Sequence, residues 1–207
     1  MFEGKTVFDI LSMGGFTMYI LLACSIIAVS ITLERVWHYR KAGKVSRAMC
    51  MKTVREKLAA NDRSGASEYC VTTKSPFARV VHQGLGAGEN EKNIEDAMAR
   101  QVSAETADLE RWTNILGTFG GTVVYIGLFG TVIGIIRAFK DIALTASGAG
   151  GMSMVITGIA EALVCTASGI AVAVYSVIAY NIIVKHIEKQ RLEMELTANE
   201  TLSLLRK

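Results

Sequence analysis

The chain has 207 residues, of which 51% are hydrophobic and 20% charged, with a formal net charge of +3. Its apolar residues are gathered into a few long uncharged blocks, which excludes an ordinary water-soluble domain, and a single proline among nineteen glycines excludes collagen-like or extended disordered sequence. So small a charge excess carries no nucleic-acid signature, and the placement of the charges is more informative than their sum.

The first block, Ile10 to Leu33, has twenty-four residues without a formal charge between Asp9 and Glu34-Arg35. As a helix it covers roughly 36 Å, against a hydrocarbon core of about 30 Å, so it is expected to span a membrane. A cleaved signal peptide is the weaker reading: Lys5 is balanced by Glu3 and Asp9, and the apolar run is longer than a signal core. Arg35, Arg40, Lys41, Lys44 and Arg47 follow directly, so this side is expected in the cytoplasm and the N-terminus outside.

Residues 34 to 111 hold fourteen Lys or Arg and eleven Asp or Glu, and read as a water-exposed helical region. Asn61-Asp62 and Ser64-Gly65 mark a turn between two short helices, and Ser75-Pro76 opens another that ends near the GLGAGEN turn. In NIEDAMARQVSAETADLERW, Ile94, Met98, Val102 and Leu109 fall near one helical stripe. No helix breaker separates Arg111 from Trp112, so this helix is expected to continue into the next block. The four cysteines (Cys24, Cys50, Cys70, Cys165) and three histidines (His38, His82, His186) lack ligand or catalytic spacing. Neither metal nor cofactor is expected, and an enzyme reading has almost no support.

Trp112 to Ile136 is a second uncharged block, of twenty-five residues. The third runs from about Met152 to Val184, uncharged except for Glu161, and is read as one long helix whose exit is marked by Lys185, Glu188, Lys189 and Arg191. The expected organisation is an all-α membrane protein with three transmembrane helices. Residues 1–36 form an N-terminal segment with the first span, 37–111 a cytoplasmic helical region, 112–184 a hairpin of two spans, and 185–207 a cytoplasmic C-terminal helix. The hairpin is expected to turn around Gly148, Gly150 and Gly151.

Small residues line both arms of that hairpin, among them Gly127, Gly130, Gly134, Gly158 and Gly169, and permit close helix packing. Thr131 and Thr166 have their midpoint at 148.5, so a symmetric hairpin sets both hydroxyls at one depth; the plain alternative is that each bonds only to its own helix three or four residues back. Glu161 is costly in hydrocarbon unless protonated, paired or hydrated. It lies about 7.5 Å along the helix from Thr166 and about 140° around it. Two readings stay open for it: a proton-responsive or water-holding group, or an anchor bonded to a neighbouring subunit or to Arg137. Three spans with one glutamate lack the opposite wall and the central titratable group of an ion path, which further subunits would have to supply.

At these residues the chain resembles the MotA/TolQ/ExbB proton-channel family, in its ExbB and TolQ-like branch. The resemblance is carried by GGFTMYILLACSIIAVSITLERVW (14 to 37), SPFARVVHQGL (75 to 85), IGLFGTVIGIIRAF (126 to 139) and, most strongly, GIAEALVCTASGIAVAVYSVIAYN (158 to 181). It implies a homopentameric ring in a bacterial inner membrane around two copies of a single-span ExbD or TolR-like partner. Proton flow would then drive motion passed to a TonB or TolA-like envelope partner. Thr131 and Thr166 correspond to the threonines that face the central pore in the family, and Glu161 to its glutamate. A sodium-driven stator of the same family and a non-conducting membrane scaffold are the alternatives. The family often has proline where this chain has Phe16, Tyr125, Thr157 and Tyr175. Straighter spans follow, and Tyr125 and Tyr175, equidistant from residue 150, are expected to share a layer and shape the pore.

Overall fold

The computed structural model describes residues 15–42, 45–144 and 151–206, with side chains at 41–42, 142–144 and 151–154 left aside. The first turn of the expected first span, and Gly148 and Gly150 of the expected hairpin turn, lie outside the described residues. Those described are overwhelmingly helical: α1 (Gly15–Ala42), α2 (Arg47–Ala59), α3 (Arg63–Thr72), α4 (Pro76–Gly86), α5 (Glu91–Glu110), α6 (Thr113–Leu144) and α7 (Gly151–Leu205). Three of them, α1, α6 and α7, are long and apolar enough to cross a membrane. The third apolar block and the charged C-terminal segment form one uninterrupted helix of 55 residues. The chain divides into two compact units, one of residues 1–32 and 112–181, the other of residues 33–111 and 182–207.

In the first unit α6 and α7 run antiparallel with a constant register. Gly117 faces Tyr180, Gly120 Val177, Gly127 Gly169, Gly134 Ala162 and Ala138 Gly158, so each facing pair is centred on residue 148 or 148.5. Small residues allow this approach because membrane helices gain little from the hydrophobic effect against lipid and depend on close van der Waals contact. The start of α1 packs on the pair through Met18 and Leu21, which bury against Val123 with Cys24, Phe119, Ile126, Val164 and Val172 around them. Large apolar side chains such as Leu128, Phe129, Ile156 and Leu163 point outward, as lipid or subunit contact requires.

The second unit gathers α2 to α5 with the end of α7. Local chemistry sets the helix starts: Ser46 accepts from the Met49 amide at 3.4 Å, Asp62 from Gly65 at 2.8 Å and Asn90 from Lys92 at 3.0 Å, while Pro76 occupies the first turn of α4. The turn after α2 has Asn61 in the left-handed region at φ 57°, and Ser64 and Gly65 fall inside α3 rather than in the turn. The core joins Val54, Cys70, Phe77, Val80 and Val81 to Ile94, Met98 and Val102 of the expected α5 stripe, and Met194 of α7 is fully buried. Arg79 grips Glu105 through two bonds of 2.5 Å, and Gln101 donates to the same carboxylate at 2.7 Å. Glu200 on α7 receives Arg47 at 2.7 Å and also Arg55.

One expectation is corrected. Helix α5 does not continue into the second span: it ends at Glu110, α6 begins at Thr113, and Trp112 between them sits at φ 64°. Continuation would have the Asp108 and Leu109 carbonyls accept from the amides of residues 112 and 113. The Asp108 carbonyl accepts instead from the Arg111 amide at 3.3 Å, and side chains of α1 supply the other donors: Arg35 to Asp108 at 3.2 Å and to Leu109 at 3.4 Å, and Tyr39 to Leu109 at 3.0 Å. Arg35, 3% exposed, is therefore a helix cap as well as a flanking charge.

Candidate functional site

At Gly127 and Gly169 the backbones of α6 and α7 meet without an intervening side chain. A Cβ added to Gly127 would lie 2.9 Å from the Cys165 carbonyl oxygen and 3.1 Å from Gly169 Cα; one on Gly169 would lie 3.0 Å from Gly127 Cα. The backbones touch, leaving no side chain to hold the neighbouring hydroxyls apart. Thr131 Oγ1 and Thr166 Oγ1 accordingly stand 2.8 Å from one another.

Each hydroxyl is also bonded to backbone. Thr131 donates within its own helix, to Leu128 O at 2.7 Å and, more weakly, to Gly127 O at 3.4 Å. Thr166 reaches across to Gly127 O at 3.2 Å, a bond between helices rather than within one. Two hydroxyl protons thus serve three short contacts, and every arrangement of them keeps lone pairs on both oxygens. The pair can accept a proton donor, or turn one hydroxyl outward to donate at the loss of an internal bond. Thr131 is 8% exposed and Thr166 half-buried, so Thr166 is the more accessible residue of the two.

Glu161 is elsewhere. It is half-buried and lines a cavity of about 540 Å³ formed by α1, α6 and α7, with Arg137, Asp141, Thr157, Thr17 and Cys165 among the other lining residues. Glu161 and Arg137 share this space without an ion pair between them among the described residues. Thr131 and Thr166 do not line it. Within this chain, therefore, the glutamate and the hydroxyl pair serve separate surfaces, as their angular separation around α7 implies.

Gly130, Gly134 and Gly158 set the helix contacts beside that cavity. A Cβ on Gly130 would come 2.8 Å from Thr17 Oγ1, on Gly134 2.6 Å from the Ala162 methyl, and on Gly158 2.8 Å from the Ala138 methyl. Tyr125 and Tyr175 are 69% and 39% exposed. A register centred on residue 148 rather than 150 offsets them by about 6 Å along the axis. Thr17 was not singled out from the sequence. Its hydroxyl lies 3.7 Å from Cys165 Sγ, and nothing in one chain's pattern sets how α1 turns against the hairpin. In the second unit, burial pushes the Cys50 thiol up to about 11 and the Cys70 thiol up to about 12, so both are protonated and unreactive at neutral pH.

Residues 72–196 match the MotA/TolQ/ExbB proton channel family, a stretch that contains both arms of the hairpin and, from the second unit, α4, α5 and part of the end of α7. The chain belongs to this family. Among the relatives it resembles are a putative biopolymer transport protein ExbB homolog of Methanothermobacter thermautotrophicus, 28% identical over 197 residues covering 95% of this chain and 69% of that protein. The Tol-Pal system protein TolQ of Pseudomonas aeruginosa is 39% identical over 119 residues, 57% of this chain and 51% of that protein. The biopolymer transport protein ExbB of Salmonella typhimurium is 36% identical over 126 residues, 56% of this chain and 51% of that one. The chain thus spans only about half the length of the TolQ and Salmonella ExbB relatives. These relatives place it in the ExbB and TolQ-like branch of a family of membrane channel and energy-transduction proteins.

Proposed function

We propose that this protein is a proton-channel subunit of a bacterial inner-membrane motor, with its N-terminus in the periplasm and its C-terminus in the cytoplasm. Five copies form a ring around two copies of a single-span ExbD or TolR-like partner, and proton flow through the ring does mechanical work on an envelope system through a TonB or TolA-like protein. The observation that carries this reading is the hydroxyl pair: Thr131 and Thr166 meet at 2.8 Å part-way along two apolar antiparallel helices, a polar layer where lipid offers none.

An ionised carboxylate moves past apolar helix walls only at high cost, and protonation removes most of that cost. A partner carboxyl that picks up a proton from water can therefore pass from one subunit's Thr131–Thr166 layer to the next and release the proton on the cytoplasmic side. The hydroxyls, holding their own protons internally, offer the incoming acid acceptor oxygens and so receive its O–H. The drive is about 2.3 kcal/mol per proton for each 100 mV. Tyr125 and Tyr175, in place of the family's prolines, shape the wall on the cytoplasmic side of this layer.

The test is proton flux into proteoliposomes holding the chain with its partner. Thr131→Val and Thr166→Val keep the side-chain shape and remove the oxygen, and each is expected to reduce flux at least about tenfold, the effect of losing one hydrogen bond of about 1.4 kcal/mol. Native mass measurement of the same preparations reads ring size and partner copies. Wild-type flux in both variants, with assembly intact, refutes the role assigned to the pair.

A further inference from the structure

The cavity holding Glu161 has no place in the layer just described, and its chemistry is unusual for membrane depth. Along α6 its lining runs from Phe129 and Gly130 at the inner end through Ile133, Gly134 and Arg137 to Asp141, a stripe covering about 18 Å of helix. Along α7 the stripe is Thr157, Gly158, Glu161, Ala162 and Cys165, and α1 closes one side with Phe16 and Thr17. The antiparallel register orders these by depth. Asp141, Arg137 and Thr157 lie toward the end where α6 stops and α7 starts, Glu161 comes next, and Thr17, Gly130 and Cys165 stand deepest.

The exposed Arg137 guanidinium and the half-buried Glu161 carboxylate line one space in an apolar unit without pairing to each other among the described residues, and each is expensive against hydrocarbon. Water removes that cost, and about 540 Å³ has room for roughly ten to twenty molecules, with hydroxyl, carboxylate and guanidinium groups to bind them. The inner end of the cavity also matters. Gly130 and Cys165 immediately precede Thr131 and Thr166, and Gly130 has no side chain to occupy the space that Thr17 Oγ1 and Cys165 fill.

We infer that this cavity is a water-filled vestibule, entered from the end where α6 and α7 meet, which carries water on the α1 side of the hairpin past Glu161 to the level of the hydroxyl pair. Arg137 and Asp141 hold the mouth wet, Glu161 holds water at mid-depth, and Thr17 with Cys165 forms the floor. The hydration follows from the cavity alone; that the water delivers protons rests on the function proposed above.

The experiment separates the two. The four native cysteines are replaced by alanine, and Thr157→Cys and Glu161→Cys are compared in proteoliposomes with Ile156→Cys and Ala160→Cys, which are at similar depth but do not line the cavity. A charged, membrane-impermeant methanethiosulfonate modifies only thiols that ionise in water, so labelling at 157 and 161 is expected to be at least about tenfold faster than at 156 and 160. Equal rates at all four positions overturn the vestibule. Because the alanine background can fail to fold, hydroxyl-radical footprinting of the unaltered chain in nanodiscs gives an independent reading. Ile133, which lines the cavity, is expected to be oxidised in preference to Ile136, which is 58% exposed but outside it; the reverse order overturns the inference. Thr157→Trp, which fills the mouth, is then expected to slow labelling at 161 and proton flux together. Labelling blocked with flux unchanged overturns the delivery role, whereas labelling as expected in a complex that never conducts protons sinks the proposed function and leaves the vestibule standing.

Discussion

Replacing Gly127 by alanine tests the contact on which the hydroxyl layer depends. The new methyl would meet the Cys165 carbonyl oxygen at 2.9 Å, Gly169 Cα at 3.1 Å and Thr166 Cα at 3.2 Å, all three of them backbone atoms that no rotamer change can move. Relief requires α6 and α7 to separate by some 0.5 Å or more, against interiors packed as densely as organic crystals. That separation stretches the 3.2 Å bond from Thr166 to Gly127 and the 2.8 Å contact between the hydroxyls past useful geometry. Overpacking costs about 1–3 kcal/mol and each lost hydrogen bond about 1 kcal/mol, while alanine's better helix propensity returns about 1 kcal/mol, so the net loss is about 2–4 kcal/mol. At about 2–4 °C per kcal/mol for a chain of this size, the expected fall in Tm is about 4–16 °C. Gly121→Ala on the same helix is the control, because a Cβ there meets nothing within 4 Å of this chain. It is expected to leave Tm unchanged or raise it slightly. Thermal unfolding of both variants in detergent, followed by tryptophan fluorescence, gives the comparison. Equal Tm values for Gly127→Ala, Gly121→Ala and the parent would refute the claim that backbone contact at Gly127 sets the helix separation.

Arg35→Gln removes charged donors from the Asp108 and Leu109 carbonyls, and is expected to cost about 2–3 kcal/mol and to speed hydrogen exchange in the last turn of α5 while α3 is unaffected. Asn61→Ala forces an ordinary Cβ residue into φ 57° and is expected to destabilise the second unit by about 1 kcal/mol, whereas Asn61→Gly stays neutral or stabilises; urea titration distinguishes them. The Cys50 and Cys70 thiols titrate in the fold at about 11 and about 12, above their ordinary value of 9.0. Their contribution to stability is therefore complete below pH 9 and is lost as pH rises through 11 and 12. Cys50→Ala with Cys70→Ala should flatten the alkaline limb of a stability-against-pH curve, and in the parent neither thiol should react with iodoacetamide at pH 7.5 until the chain unfolds.

Much of this molecule was legible in one dimension because much of it is local or symmetric. An uncharged run of two dozen residues can only satisfy its backbone inside a bilayer as a helix, so α1, α6 and α7 could be read from composition and length. Two such helices in sequence with a short connection fold back on one another, and the arithmetic that gives Thr131 and Thr166 a common midpoint gives Gly127 and Gly169 nearly the same one. Pro76 announced a helix start, and Asp62 and Asn90, legible in sequence as turn residues, prove to cap helices by chemistry within three residues of themselves. The family match adds what composition could not supply, the proteins to which this chain is related.

What the pattern left open depends on groups far apart in sequence. The end of α5 at Glu110 carries no glycine or proline signal; there the Asp108 carbonyl turns back to the Arg111 amide, and Arg35 and Tyr39, more than sixty residues away, bond the carbonyls a continuing helix would need. Glu161 could be assigned an angle around α7 but no surroundings. Which wall it faces is set by how α1 turns against the hairpin, and that brings Phe16 and Thr17 into a cavity with Arg137. Periodicity and charge placement act within a helix and fix its length, its ends and its apolar faces. Side-chain volumes between helices choose the rotation at which they lock, and only that choice makes two threonines a bonded pair and leaves a glutamate in a separate, polar space.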